Sequence, residues 1–475
     1  MLSACASKRR PNILFIMTDD QTVNEMSCAG NRILKTPNID RIADEGVRFS
    51  NAFVTNSLCA PSRATALTGC YSHIHGVKGN SEMKGQVEKI NPAIPTYPQL
   101  LQKAGYKTAV VGKWHLQDDP KGFDYSCVLP GQGVYDDPEF IENGVRRKIA
   151  GYATDITTDL ALGFLAKAGK DPFCLLYQHK APHRPFKPAA RHQAMFEKVE
   201  IPYPDTFNDE YATRRLAKEA EDMRFDVSLA GDYKDLPANF SPENKKKWLF
   251  QRMVKDHYRA VLGVDENLGR VLKYLDDSGL AKDTLILYTS DNGYFLGEHG
   301  WYDKRFMYEP SLRVPLLMRY PNGFRSGALD DHMVLNIDIA PTILDFASVP
   351  VPATMQGRSL RPLLEGNPPN DWRTSIYYSY HENSWALANK DKDARSDPSF
   401  EFFTPHRVSP HRGIRTSRHK LIEYYGEDMT YWELFDLESD VNELKNLYEN
   451  PTLSPVIYRL KQELSALRAE YKDNG

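Results

Sequence analysis

At 475 residues the chain exceeds what one simple core organises, so it should hold one large domain with an appendage, or two domains. Its composition is ordinarily globular, 41% hydrophobic and 26% charged, and a formal net charge of −3 supplies no global basic field for nucleic acid or a membrane surface. The six cysteines, Cys5, Cys28, Cys59, Cys70, Cys127 and Cys174, form no CxxC pair or zinc-like spacing, and no apolar run is long enough to span a bilayer.

The first stretch, MLSACASKRR, reads as a leader remnant over residues 1–10, outside the fold. Leu2-Ser3-Ala4-Cys5 has the form of the lipobox at which bacterial lipoproteins are cleaved and lipidated, without the charged and apolar regions that normally lead into it. It predicts an exported protein, periplasmic or anchored to the surface as a lipoprotein.

NILFIMTDD, from Asn12 to Asp20, is an apolar run ending in two carboxylates, the pattern of a buried strand whose acids lie where open α/β sheets bind ligands. A helix is expected from Ile39 to Ala43, stopped by Gly46, and another closed by Gly105, followed by a strand from Tyr106 to Val111. DITTDLALGFLAKAG predicts a helix capped by Thr154 or Asp155. PFCLLYQHKAPHRPF is a strand running into a His-rich loop. Residues 205–244 are polar and read as an excursion from the core. A long helix spans about Lys247 to Leu275, and DTLILYTSDNG is one more strand ending in acid and amide. RVPLLMRYP and DIAPTILDFA continue the alternation, which predicts a mostly parallel sheet with helices on both faces. After about Pro362 the pattern shifts to short strands joined by turns and an amphipathic final helix. This gives an expected catalytic domain over residues 11–362 and a small antiparallel subdomain with one helix over residues 363–475. The charged stretch from Asn389 to Ser399 reads as a loop insertion.

Four polar groups end two of these strands: Asp19 and Asp20, then Asp291 and Asn292. Crowded carboxylates repel unless a cation neutralises them, and all-oxygen ligands favour Ca²⁺ or Mg²⁺ over zinc. For either pair alone, turn or cap acids explain the residues equally well; two pairs at equivalent strand ends favour the metal. Lys113 and His115 in GKWH, His183 in KAPHRP and Lys304 in WYDKRF also fall at or just after strand ends. Singly they are surface charges or satisfied histidines. Together with Arg63 they suit a tetrahedral oxyanion such as sulfate or phosphate. In SLCAPSRATALTG, Cys59 opens a predicted helix beside Arg63, which should lower its thiol pKa and make it a candidate nucleophile; otherwise it is a small buried hydrophobe.

Cys59-Ala60-Pro61-Ser62-Arg63, followed by Leu67-Thr68-Gly69, resembles the signature of type I sulfatases, and the resemblance runs from Pro11 to the last helix. It implies an alkaline-phosphatase-like α/β sandwich with a small C-terminal antiparallel sheet. It also implies that Cys59 is oxidised to formylglycine by a formylglycine-generating enzyme. Asp19, Asp20, Asp291, Asn292 and the modified residue 59 would hold one Ca²⁺. By the same resemblance, one hydroxyl of the hydrated aldehyde attacks sulfur, and His183, alone or with Lys304, protonates the departing sugar oxygen. His115 takes a proton from the second hydroxyl to expel sulfate. Arg63, Lys113 and Lys304 hold sulfate oxygens or steady the diol. HKAPHRPFKP, VEIPYPDTFNDEY and HRGIRTSRHKLIEYY are most similar to the N-acetylglucosamine-6-sulfatase branch. This points to a sulfated saccharide substrate, with Arg184, His381 and His411 as expected sugar contacts. Two features depart from that branch: Asn292 where Gln is common, and a longer segment from His381 to Val408. The competing readings are a sulfatase for uronate-2-sulfate or galactose-type sugars, a phosphate or phosphonate ester hydrolase on the same core, and a silent glycan-binding protein.

Overall fold

The computed structural model describes residues 10–80, 88–169, 171–324, 326–382, 406, 408–426 and 429–474. The lipobox-like Leu2–Cys5 and the stretch from Asn389 to Ser399 lie outside them. Arg10, expected outside the fold, sits against it: its guanidinium lies over the Tyr106 ring at 5.1 Å and donates to Ala104 O at 2.6 Å.

A ten-stranded sheet forms the centre. Its strands are β1 (Asn12–Asp19), β2 (Val47–Phe49), β3 (Lys107–Lys113), β4 (Tyr125–Leu129), β5 (Glu139–Glu142), β6 (Val145–Lys148), β7 (Phe173–Pro182), β8 (Thr284–Ser290), β9 (Leu316–Arg319) and β10 (Ala328–Asp330). They run in the order β10-β2-β9-β8-β1-β7-β3-β4-β5-β6. The five strands from β8 to β4 are parallel to their neighbours, while β9 and the edge hairpin β5–β6 are antiparallel. RVPLLMRYP thus supplies an antiparallel strand, and the short β2, β5, β6 and β10 carry no apolar run that could have announced them.

The helices that cover this sheet are α1 (Pro37–Asp44), α2 (Cys59–Thr68), α3 (Tyr97–Lys103), α4 (Ala153–Lys167), α5 (Pro242–Asp277) and α6 (Ile339–Phe346). Alternation along β1 divides the core. Ile13, Phe15 and Met17 pack with α3 and α6 on one face; Leu14 and Ile16 pack with α1, α4 and α5 on the other. Each such side chain, fully withdrawn from water, contributes roughly 1.5–3 kcal/mol. Both faces are covered, which is why the central strands read as unbroken apolar runs. α4 starts earlier than expected: Tyr152 is its N-cap, without a side-chain cap, and Thr154 and Asp155 lie inside the helix. Asp155 instead accepts from Arg191 and Asn267. The polar stretch 205–244 holds an apolar layer of its own, with Phe207, Phe225, Leu229 and Tyr233 packing on Phe250 and Met253 of α5.

Beyond Pro362 a four-stranded antiparallel meander follows: β11 (Ser375–Tyr380), β12 (His411–Thr416), β13 (His419–Gly426) and β14 (Met429–Asp436). The last helix, α7 (Ser454–Glu470), packs on it through Leu460 and Leu464. The same apolar cluster continues into Trp301, Phe306, Tyr308 and Leu312, so this sheet shares a core with the segment carrying Lys304. The architecture is the alkaline-phosphatase-like sandwich with its small C-terminal sheet.

Candidate active site

Leu58 is extended (φ −150°, ψ 140°) and Gly69 is left-handed (φ 63°), and between them α2 begins at Cys59. Every residue of α2 is buried, so its free N-terminal N–H groups need protein partners rather than water. Asn80 Oδ1 supplies one, accepting from Ala60 N at 3.1 Å. Residues four apart share a helix face, so Cys59 and Arg63 project the same way, toward the ends of β1 and β8.

Those strand ends converge as the sequence predicts. The Cys59 Sγ lies 3.4 Å from Asp19 Oδ1, and Lys304 Nζ lies 3.0 Å from the sulfur. Asn292 Nδ2 donates to Asp20 Oδ1 at 2.6 Å, and Asp20 N donates to Asp291 Oδ1 at 3.2 Å. Arg63 binds Asp291 Oδ2 through Nε (2.9 Å) and Nη2 (2.8 Å), and donates from Nη1 to Lys113 O and Gln178 Oε1. Lys113 Nζ pairs with Asp19 and Lys304 Nζ with Asp20. Asp20 and His115 hold left-handed backbone (φ 72° and 56°), a conformation that costs non-glycine residues energy and gathers at functional sites. In both, it turns the chain sharply off the end of its strand.

The electrostatics correct one expectation. Burial pushes the Cys59 thiol well above its usual range; Lys304 pulls it back, but Asp19 and Asp291 push it further up. Arg63 is spent on Asp291 and so does not activate the thiol. Burial also raises Asp291, to about 7, with Asp19 adding to the shift and Arg63 opposing it. Asp20 is raised by burial against the pull of Lys304. Asp19 goes the other way: burial would raise it, but Lys113, His183, Arg63 and Lys304 together hold it well below the carboxylate range.

Asp19, Asp20, Cys59 and Asp291 each offer a ligand atom, all within 4.8 Å of one another. Asn292 Oδ1 is buried with no donor on it. Raised carboxylates crowded beside an unsatisfied amide oxygen are what a hard divalent cation would relieve, so these residues fit one. His183 is buried beyond β7, with Nε2 3.8 Å from Asp20 Oδ2 and Nδ1 2.7 Å from Arg184 O. Burial, reinforced by Lys113, depresses its pKa well below the usual range. His115 is buried two residues past Lys113.

The expected sugar contacts fare differently. Arg184 is bound to Asp232 through Nε and Nη2, the latter at 2.6 Å, and lies over the Tyr302 ring. His381 directly follows β11, with Nε2 buried and without a partner among the described residues. His411 is a packing residue. Its ring stacks among Tyr378, Tyr380 and Phe306, Nδ1 donates to Ser409 O, and Nε2 accepts from Met307 N at 3.1 Å. With both nitrogens engaged in a fully buried setting, it has nothing left for a sugar. Sequence reasoning missed Gln178, which accepts from Arg63, and Gln132, which accepts from Lys113 Nζ at 2.5 Å. It also missed Glu382, which takes Asn80 N (2.8 Å) and Arg305 Nη1 (2.8 Å) and so ties β11 to the start of α2. Gln178 sits inside a strand that reads as apolar, and nothing in a single sequence announces Gln132 or Glu382.

A parallel sheet whose strand ends gather buried acids, lysines, an arginine and histidines around a helix start is built to hydrolyse esters of tetrahedral oxyanions. The comparisons narrow that class. The chain matches the family described as Sulfatase over residues 11–349, and the description N-sulphoglucosamine sulphohydrolase, C-terminal, over residues 297–470. It is 40% identical to the N-acetylglucosamine-6-O-sulfatase of Bacteroides thetaiotaomicron over 100% of this chain and 90% of that one. It is 32% identical to the human N-acetylglucosamine-6-sulfatase over 80% and 69% of the respective chains. A solved structure described as a complex with its substrate D-glucosamine-2-N,6-O-disulfate superposes with a TM-score of 0.88 at 39% identity, covering 98% of this chain and 99% of that one. The chain belongs to the sulfatase family and is a sulfuric ester hydrolase. Among the described residues, no helix is long and apolar enough to cross a membrane.

Proposed function

We propose that the protein hydrolyses the sulfate ester of a 6-O-sulfated glucosamine, with Cys59 converted to formylglycine and Ca²⁺ bound by Asp19, Asp20, Asp291, Asn292 and residue 59. The observation that carries the reading is the seat of residue 59: a fully buried thiol with a raised pKa, 3.4 Å from Asp19 and 3.0 Å from Lys304. A neutral thiol there is a poor nucleophile. Hydrated formylglycine supplies two hydroxyls on one carbon, and Ca²⁺ supplies positive charge against sulfate oxygens.

The chain's own groups do the rest. Arg63, Lys113 and Lys304 place positive charge around residue 59, where it stabilises the negative charge on the sulfate oxygens. His183 commits Nδ1 to the Arg184 carbonyl, which leaves Nε2 to hold a proton for the leaving sugar oxygen. Its depressed pKa makes the protonated form a strong acid. His115 is assigned the opposite transfer, accepting a proton at residue 59. Arg184 and His381 stand as sugar contacts; His411 does not.

The glucosamine assignment rests on 40% identity across the whole chain to a protein of that activity. Conversion of Cys59 implies a formylglycine-generating enzyme as maturation partner, and the lipobox-like Leu2–Cys5 supports export, to the periplasm or as a surface lipoprotein. Residues 11–362 are assigned as the catalytic domain and residues 363–475 as the subdomain completing it. The test is sulfate release by formylglycine-bearing protein, verified by mass spectrometry of the residue-59 peptide, from a panel of defined sulfated sugars. Release from N-acetylglucosamine-6-sulfate is expected. Activity confined to uronate-2-sulfate, galactose-type sulfates or phosphate esters overturns the substrate, and full activity with an intact thiol overturns the formylglycine.

A further inference from the structure

Lys180 sits in β7, three residues before His183, and has no part in the reaction described above. Its ammonium is almost fully buried, yet among the described residues no carboxylate lies within ion-pair distance. Its one polar contact is a long donation to Arg184 O at 3.3 Å, and it lies 5.0 Å over the face of the Tyr135 ring. Burying an ammonium without a counter-charge costs several kcal/mol, a cost that an anionic ligand placed beside it would offset.

The ammonium lines a cleft of about 300 Å³ that also takes in His183 and Gln132. The cleft therefore begins at the histidine assigned to the leaving oxygen, where the sugar must sit. Gln132 adds a second donor. Its Oε1 is held by Lys113 Nζ at 2.5 Å, which fixes the orientation of the amide, and its Nε2 is buried with no acceptor. The other cations on the cleft are already matched, Lys187 by Asp136 and Arg184 by Asp232. A lysine with one long hydrogen bond and no counter-charge, and an amide N–H with no acceptor, thus face one space beside the reacting group.

We infer that this cleft is a second anion subsite, in which Lys180 and Gln132 receive a negatively charged substituent of the same saccharide, a sulfamate on the glucosamine or the carboxylate of an adjoining uronate. The inference rests on the glucosamine reading for the position of the sugar. It makes Lys180 a specificity-determining residue: it selects saccharides bearing a further negative charge, while Lys113, Lys304 and Arg63 serve the sulfate that is removed.

The test compares formylglycine-bearing wild type with Lys180→Met, which keeps the length of the side chain and removes the charge. Three substrates are used: N-acetylglucosamine-6-sulfate, glucosamine-2-N,6-O-disulfate and a uronate-linked disaccharide carrying the 6-sulfate. Loss of one buried charge contact should lower kcat/KM about tenfold or more on whichever anionic substrate uses the subsite, and far less on the singly sulfated sugar. The substrate that responds identifies sulfamate or carboxylate as the ligand. Removing an unpaired buried charge should leave Tm unchanged or higher, which separates this effect from misfolding. Equal loss on all three substrates, or loss on none, overturns the subsite. A second arm needs no turnover: calorimetric binding of glucosamine-2-N-sulfate and of free uronate to protein with an intact Cys59 thiol. If wild type desulfates none of the three substrates yet binds one of these ligands in a Lys180-dependent way, the glucosamine-6-sulfate reading fails and the subsite stands.

Discussion

Arg63 shows how one side chain can be read from sequence by position and still be misread by role. Its place four residues after Cys59 suggests that it activates the thiol, whereas its guanidinium is divided among Asp291, the Lys113 carbonyl and Gln178. Its work is to join the ends of β8 and β3 to the interior of β7 beside residue 59. A lysine cannot make three such contacts from one planar fork. Arg63→Lys should therefore lower kcat/KM by roughly 10²-fold or more, read by sulfate release, with a fall in Tm reflecting a broken buried pair. His411 offers the opposite case. His411→Phe should retain most activity but lose about 1–3 kcal/mol of stability in a denaturant titration, because Met307 N is left without an acceptor. An activity loss much larger than the stability loss would restore it to the sugar site.

At the level of elements, the site depends on how strands end. Gly112, one residue before Lys113, has φ 94°, and a Cβ there would lie 1.8 Å from Gln178 O on β7. β3 can approach β7 at this point only without a side chain. Gly112→Ala should part the two strands and displace Lys113 from Asp19, giving little soluble protein or an inactive, destabilised one by circular dichroism and activity. In the C-terminal sheet, Glu433 on β14 is buried and raised to about 7 by burial, against hydroxyl donations from Tyr308 (2.8 Å) and Tyr424 (3.1 Å) to Oε2. Between the unfolded value near 4.5 and about 7, the folded state holds the extra proton, so stability falls as pH rises through that window. The contribution is on the order of 3 kcal/mol. Glu433→Gln should remove this slope, and its Tm should gain on that of wild type between pH 5 and pH 8. A parallel pH dependence in both proteins would show that Glu433 is not its source.

For the whole molecule, the groups that fit a cation come from the end of β1, the turn after β8 and, through Cys59, the start of α2, so an ion there joins segments more than 200 residues apart in sequence. Ligand binding to the folded state alone stabilises by about 2.7 kcal/mol at a hundredfold excess over Kd. Ca²⁺ added to chelator-treated protein should therefore raise Tm by a few degrees, and Asp291→Ala should abolish the increase. The measurement does not depend on formylglycine, so it reads the cation site separately from catalysis. β11 supplies the other whole-molecule link: Tyr378 Oη accepts from Ser57 N at 3.2 Å, and Glu382 holds Asn80, which holds Ala60. The C-terminal sheet is thus part of the frame around residue 59.

The sequence by itself determined the central strands, their terminal acids and the helix opening at Cys59. Unbroken apolar runs buried on both faces, and a residue order compatible with one turn of helix, leave few alternatives. It also determined the sulfatase signature, because those residues are contiguous. Tertiary structure decided everything that depends on what faces what. Whether Cys59 is activated or suppressed turns on burial and on where Arg63 points. Whether His411 meets sugar or core turns on which face of β12 is covered, and the isolation of Lys180 and Gln132 turns on which carboxylates lie within reach. Local periodicity records how often a side chain faces inward, but not which partner it meets there, since that is set by segments hundreds of residues away.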